Sequence, residues 1–133
     1  MKLLGIDFGT KKIGLAIAEN DLVEPLGIIS AQGGSASGGK FSNWESQIGQ
    51  ICQIEGVEKI VVGISEGKSG QRAKVFAKKL ARATDLPVEL TDETLTTRQA
   101  LAKMKTVGKK WKDKPDAIAA ALILQQYLGT SYV

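Results

Sequence analysis

A chain of 133 residues, 43% apolar and 24% charged, has the make-up of a single globular domain (1–133) and no length for a second substantial core. It has no His and one Cys, Cys52, which excludes an intrachain disulfide, a zinc site and imidazole acid–base catalysis, and points to a reducing cytoplasm. The formal net charge is +4, with basic residues gathered at Lys11-Lys12, from Lys74 to Arg82 and from Lys103 to Lys114; a polyanionic partner fits such a surface, and any metal must be a hard ion held by oxygen. Asp7 interrupts the first apolar run before it reaches signal-peptide length. The longest run, Ala117 to Leu124, is too short to cross a bilayer, so no membrane partner is expected.

Lys2 to Ala18 reads as two strands joined by a turn at Gly9-Thr10-Lys11-Lys12. Leu4, Ile6 and Phe8 alternate on one face of the first, and Ile13, Leu15 and Ile17 alternate in the second. The residues between them are Gly, Ala or Leu, as in a central strand covered on both faces. Asp7 breaks the pattern: it shares its face with Leu3 and Gly5, where nothing else ionises. A carboxylate there needs a metal, a cation or backbone donors; the plainer reading is a turn residue bonding nearby amides.

Leu26 to Ser30 follows as a third strand after the turn-forming Asn20-Asp21 and Pro25, and Gln32 to Gly39 as a Gly-rich loop without a P-loop ending. Ser42-Asn-Trp-Glu45 forms a capping box for a helix to about Glu55, with Trp44, Ile48, Ile51 and Cys52 on one face and Gly56 ending it. Lys59 to Ile64 has the β-branched, apolar character of a buried parallel strand. A helix from about Gln71 to Thr84 turns Phe76, Ala77, Leu80 and Ala83 inward, and Pro87 to Thr91 is a fifth strand. A third helix starts near Thr96, a basic loop runs from Val107 to Pro115, and a largely buried helix from Asp116 to Leu128 is stopped by Gly129. The expected fold is α/β: a five-stranded mixed sheet, the first three strands antiparallel and the last two parallel to the first, with helices on both faces. If the first strand lies between the second and fourth, Asp7 sits at the topological switch point where ligands bind.

Acids fall at the sheet edge in three places: Asp7, the Asp92-Glu93 pair and Asp116. Carboxylates from three elements can converge on one or two Mg²⁺ ions for phosphodiester cleavage, a chemistry that needs no His. Each also has a structural reading. Asp116 suits the positive end of a helix dipole, Asp92 a turn or cap, and Glu93 a solvated charge. Glu66, after the fourth strand, is a further candidate ligand.

The segment Gly5-Ile-Asp-Phe-Gly-Thr-Lys-Lys-Ile-Gly-Leu-Ala16 resembles the opening motif of the YqgF/RuvX family. Val61-Val-Gly-Ile64, Asp92-Glu-Thr-Leu-Thr-Thr97 and Asp116-Ala-Ile-Ala-Ala-Ala-Leu-Ile-Leu-Gln125 resemble its later motifs, in the family's order and over nearly the whole chain. The resemblance implies an RNase H-like fold and a Mg²⁺- or Mn²⁺-dependent nuclease related to Holliday-junction resolvases and associated with maturation of the 16S ribosomal RNA precursor. It also implies that Asp7, Glu93 and Asp116 are the catalytic metal ligands and that Lys11 and Lys12 match the basic positions of the first turn. Ser65 stands where the family usually has Pro, and the loop from Glu66 to Ser69 diverges, which bears on substrate choice.

The leading expectation is a nuclease for structured RNA, with branched DNA as the alternative, acting as a monomer or homodimer. Lys11, Lys12, Lys109, Lys110 and Lys112 would contact phosphates, and Trp111 would stack on an unpaired base or pack on its own loop. Two other classes are compatible with the sequence. A nucleotide-binding module of the actin or sugar-kinase type shares Asp-x-Gly-Thr but needs two lobes. A binding module that has lost catalysis is opposed by the retention of all three acids.

Overall fold

The computed structural model describes residues 1–8, 12–20, 22–30, 44–64, 70–92 and 115–128. Among them the order is β1 (Lys2–Phe8), β2 (Lys12–Glu19), β3 (Leu22–Ser30), α1 (Trp44–Glu55), β4 (Lys59–Ile64), α2 (Gly70–Thr84), β5 (Val88–Asp92) and α3 (Pro115–Leu128). The first turn, the Gly-rich loop, the Ser42 cap, Ser65 and Glu66, the helix expected from Thr96 and the basic loop before Pro115 lie outside the described residues.

The five strands are ordered β3-β2-β1-β4-β5. β1–β2 and β2–β3 pair antiparallel, and β1–β4 and β4–β5 pair parallel, as the short early connections and the later strand–helix–strand units require. β1 is thus central, between β2 and β4. Its alternation sorts the two cores. Leu4 and Ile6 join Ile13, Leu15, Ile60 and Val62 under α1 and α2, while Leu3 joins Ala16, Ala18 and Val61 under α3. Every residue from Ala117 to Leu124 is buried, which accounts for a helix apolar on all sides.

α1 presents Ile48 and Cys52 to the sheet and ends as its sequence predicts. Gly56 adopts a φ of +72°, and the Val57 amide donates to the Cys52 carbonyl at 3.0 Å, which closes the last turn over an apolar Cys52–Val57 contact. Burial pushes the Cys52 thiol up to about 11. Because the thiol stays protonated in the fold while the unfolded chain ionises near its usual value of 9.0, stability falls as pH rises from there towards 11. At pH 8 a disulfide reagent should modify Cys52 only at the rate of unfolding; rapid native-state labelling would contradict its burial.

Three boundaries differ from expectation. β3 starts at Leu22 and contains Pro25, which a sequence reading places before the strand. β3 is an edge strand, where a missing N–H costs no ladder bond, and Leu26 is bulged out between the pairs Leu15–Gly27 and Ala16–Pro25. β5 runs from Val88 through Asp92, so Asp92 ends the strand rather than following it. Ala83, expected inward, is exposed. The buried row Phe76–Leu80 continues instead to Thr84, whose hydroxyl donates to the Leu80 carbonyl at 2.8 Å and accepts the Leu86 amide at 3.3 Å.

Candidate active site

Asp7 lies near the carboxyl end of β1, paired with Gly14 of β2 on one side and Gly63 of β4 on the other. Gly63 in turn pairs with Thr91 of β5. The row Gly14–Asp7–Gly63–Thr91 therefore crosses four strands, and strand alternation turns it to the α3 face with Leu3 and Gly5. The carboxylate is half-buried, with no second acid in the row.

The glycines in and below this row set how α3 sits. A Cβ on Gly14 would fall on the carbonyl of Asp116 and 2.9 Å from the Ala117 nitrogen. One on Gly5 would meet Leu124 and lie 2.9 Å from the Ala120 carbonyl oxygen, and one on Gly63 would strike Ile123. Side chains at these positions would hold the helix off. Without them, the first turn of α3 rests on the β2 backbone. Gly14 and Asp7 are opposed in an antiparallel pair, so the Asp116 main chain is about one strand spacing, ~5 Å, from Asp7. Asp116 follows Pro115, whose fixed φ suits the first helical position, and is itself half-buried.

The far end of α3 is tied separately. Lys59 Nζ donates to the Tyr127 hydroxyl at 2.7 Å and to Glu89 Oε1 at 3.1 Å, and stands 5.3 Å from the Tyr127 ring centre. The hydrogen bond to Tyr127, then that to Glu89, holds the Lys59 ammonium above its usual pKa. The helix is thus seated at both ends, over β2 at Asp116 and over β4 at Tyr127.

Lys12, exposed at the start of β2, is two residues before Gly14 and so on the same face as Asp7, at a diagonal cross-strand distance of ~7–8 Å. The strand register places Asp7 and Lys12 on one face of the sheet, and the Asp116 main chain lies over Gly14 on that face. Glu93 follows directly after β5 in the sequence but lies outside the described residues, as do Lys11, Lys109, Lys110, Trp111 and Lys112. Among the described residues no group of three acids, His or Cys forms a metal cluster. Sequence reasoning did not find Gly14, Gly5, Gly63, or the Lys59–Tyr127 tie. Glycine within an alternating strand was the available signal, but it marks a bulge as readily as a close approach.

A model of the RuvX family, described as Holliday junction resolvase, matches residues 1–130. This chain belongs to that family. A relative from Thermosynechococcus vestitus, named "Putative pre-16S rRNA nuclease", is 37% identical over 137 residues, covering 96% of this chain and 87% of the relative. One of the same name from Lactobacillus johnsonii is 38% identical over 141 residues, covering 96% and 95%. Membership of the RuvX family makes the chain a nuclease, an enzyme that hydrolyses phosphodiester bonds. Its fold is RNase H-like. Thermus thermophilus RuvC shares it with a TM-score of 0.60 at 15% identity, covering 98% of each chain. The fowlpox virus resolvase, solved with Holliday junction DNA, does so with a TM-score of 0.58 at 15% identity, covering 96% of this chain and 99% of its own.

Proposed function

We propose that this RuvX-family chain is a divalent-metal-dependent nuclease for structured RNA, working in maturation of the 5′ end of the 16S rRNA precursor, with Asp7, Glu93 and Asp116 as catalytic ligands. The observation that carries the reading is the seating of Asp116 on Gly14, one strand spacing from Asp7, in a chain whose relatives carry the pre-16S rRNA nuclease name. A second reading, cleavage of branched DNA, is favoured by the family model's description as Holliday junction resolvase.

The donor set fits a hard ion. Asp7, on the α3 face of β1, and Asp116, in the first turn of α3, are both carboxylates, while the one thiol is buried with α1 on the opposite face and held protonated. Mg²⁺ or Mn²⁺, when bound, would lower the pKa of a water and stabilise the charge developing on the scissile phosphate. Asp7, held in the central strand, fixes one side of the site, and Asp116, carried on a helix seated by main-chain contact, fixes another. Glu93 would complete the set. Lys12, exposed on the same face, would hold a neighbouring phosphate and orient the substrate across Asp7.

The test separates a ligand Asp116 from one that only favours the helix terminus. As a helix-terminal residue it would add on the order of ~1 kcal/mol to stability with or without metal. As a ligand it repels Asp7 in the metal-free protein and is relieved when Mn²⁺ binds the folded state. Asp116→Asn should therefore melt at or above wild type in chelator, yet gain much less from a Mn²⁺ titration. Equal gains, with a mutant less stable in chelator, would leave Asp116 outside the ligand set.

A further inference from the structure

The positive charge of the described helices is concentrated on α2. It contains Arg72, Lys74, Lys78, Lys79 and Arg82 and no Asp or Glu, whereas α1 and α3 contain acids and no Lys or Arg. At 100° per residue, Lys74, Lys78 and Arg82 span about 80° of the helix and lie opposite Phe76 and Leu80, with Lys79 beside them. Phe76 and Leu80 are buried, and all four of these basic side chains are exposed. Lys2 pairs with Glu55 and Glu19, and Lys59 with Glu89; Lys74, Lys78, Lys79 and Arg82 have no such pairing among the described residues.

We propose that this outer face of α2 holds the phosphate backbone of a duplex arm of the nucleic-acid substrate, an inference that rests on the nuclease reading. α2 follows the carboxyl end of β4, where Gly63 pairs with Asp7, so the basic row starts at the acid-bearing edge of the sheet and leads away from it. Lys74 and Arg82 are about 12 Å apart along the axis, a length over which a duplex presents several phosphate charges at one per ~1.7 Å. The face has no ring for stacking. Phe76 is turned inward against Phe8 at 4.2 Å and Trp44 at 4.6 Å, so unpaired bases gain nothing there and the backbone is what it can hold. A membrane surface would need the helix's apolar side, which is already buried on the sheet.

The experiment compares wild type with the triple variant Lys74→Glu/Lys78→Glu/Arg82→Glu in two binding titrations without divalent metal. One uses a short single-stranded oligonucleotide, the other the same sequence carrying a duplex arm. Cleavage of both by the wild type with Mn²⁺ reports separately on the nuclease reading. The variant should bind the armed substrate at least about tenfold more weakly and lose up to about 2–3 from its salt slope, with little change on the short one. The neutral triple Lys→Gln, Lys→Gln and Arg→Gln variant at the same positions should fall between, with melting unchanged, which keeps the test valid if charge reversal impairs folding. Unchanged affinity and slope on the armed substrate would overturn the proposal while leaving wild-type cleavage, and hence the nuclease reading, intact. Equal losses on both substrates would overturn it too, because they would remove the distinction of the arm. Binding to anionic lipid vesicles in place of the armed substrate would assign the face to a membrane surface instead.

Discussion

Gly14→Ala is expected to lose both stability and cleavage, although Gly14 carries no functional group. The added Cβ would coincide with the Asp116 carbonyl and lie 2.9 Å from the Ala117 nitrogen. Both obstacles are main chain, so no rotamer change relieves the overlap and the start of α3 must lift. Overpacking of this kind costs about 1–3 kcal/mol. The lift also carries Asp116 away from Asp7, and a displacement of about 1 Å at a reacting centre can cost on the order of 10²-fold in rate. Two other alanines calibrate the result. Gly63→Ala meets the side chain of Ile123, which can rearrange, and Gly27→Ala meets nothing within 4 Å. Melting temperatures and Mn²⁺-supported rates should rank Gly14→Ala far below Gly63→Ala, with Gly27→Ala near wild type. A Gly14→Ala protein that melts and cleaves as wild type would remove main-chain seating as the device that places Asp116.

The second large effect is expected from Asp7→Asn. The amide keeps the shape of the carboxylate near the end of β1 but not its charge, so a divalent ion loses a ligand while the strand retains its packing. Cleavage should fall to background, with a circular dichroism spectrum like that of wild type. Wild-type turnover by the folded variant would take Asp7 out of the mechanism.

The central strand was readable because its two faces differ in kind. Leu4, Ile6 and Phe8 share one side, and Asp7 stands with Leu3 and Gly5 on the other, so alternation alone isolated the carboxylate. α3 was readable because an apolar run of helical length with a leading Asp permits few other readings. The nearness of Asp116 to Asp7 was not readable. It depends on absent side chains at Gly14, Gly5 and Gly63, and a sequence does not say whether a missing Cβ leaves space empty or lets another backbone in. Pro25 misled for a related reason: its effect depends on whether the strand has a neighbour on the N–H side, a property of strand order. Lys59 and Tyr127 are 68 positions apart, and neither belongs to a local pattern that anticipates their hydrogen bond.

The interruption in β3 bears on how the protein behaves at high concentration. This strand is nine residues long and forms one border of the sheet, with Leu22 largely exposed at its start. An unbroken border of that length would template the addition of strands from other molecules, the first step towards fibrils. Pro25 offers no donor to an incoming chain, and the bulge at Leu26 divides the border into two lengths of four residues that twist out of line. Straightening it, by Pro25→Val with Leu26 deleted, would exchange a soluble stock for one that turns cloudy on standing.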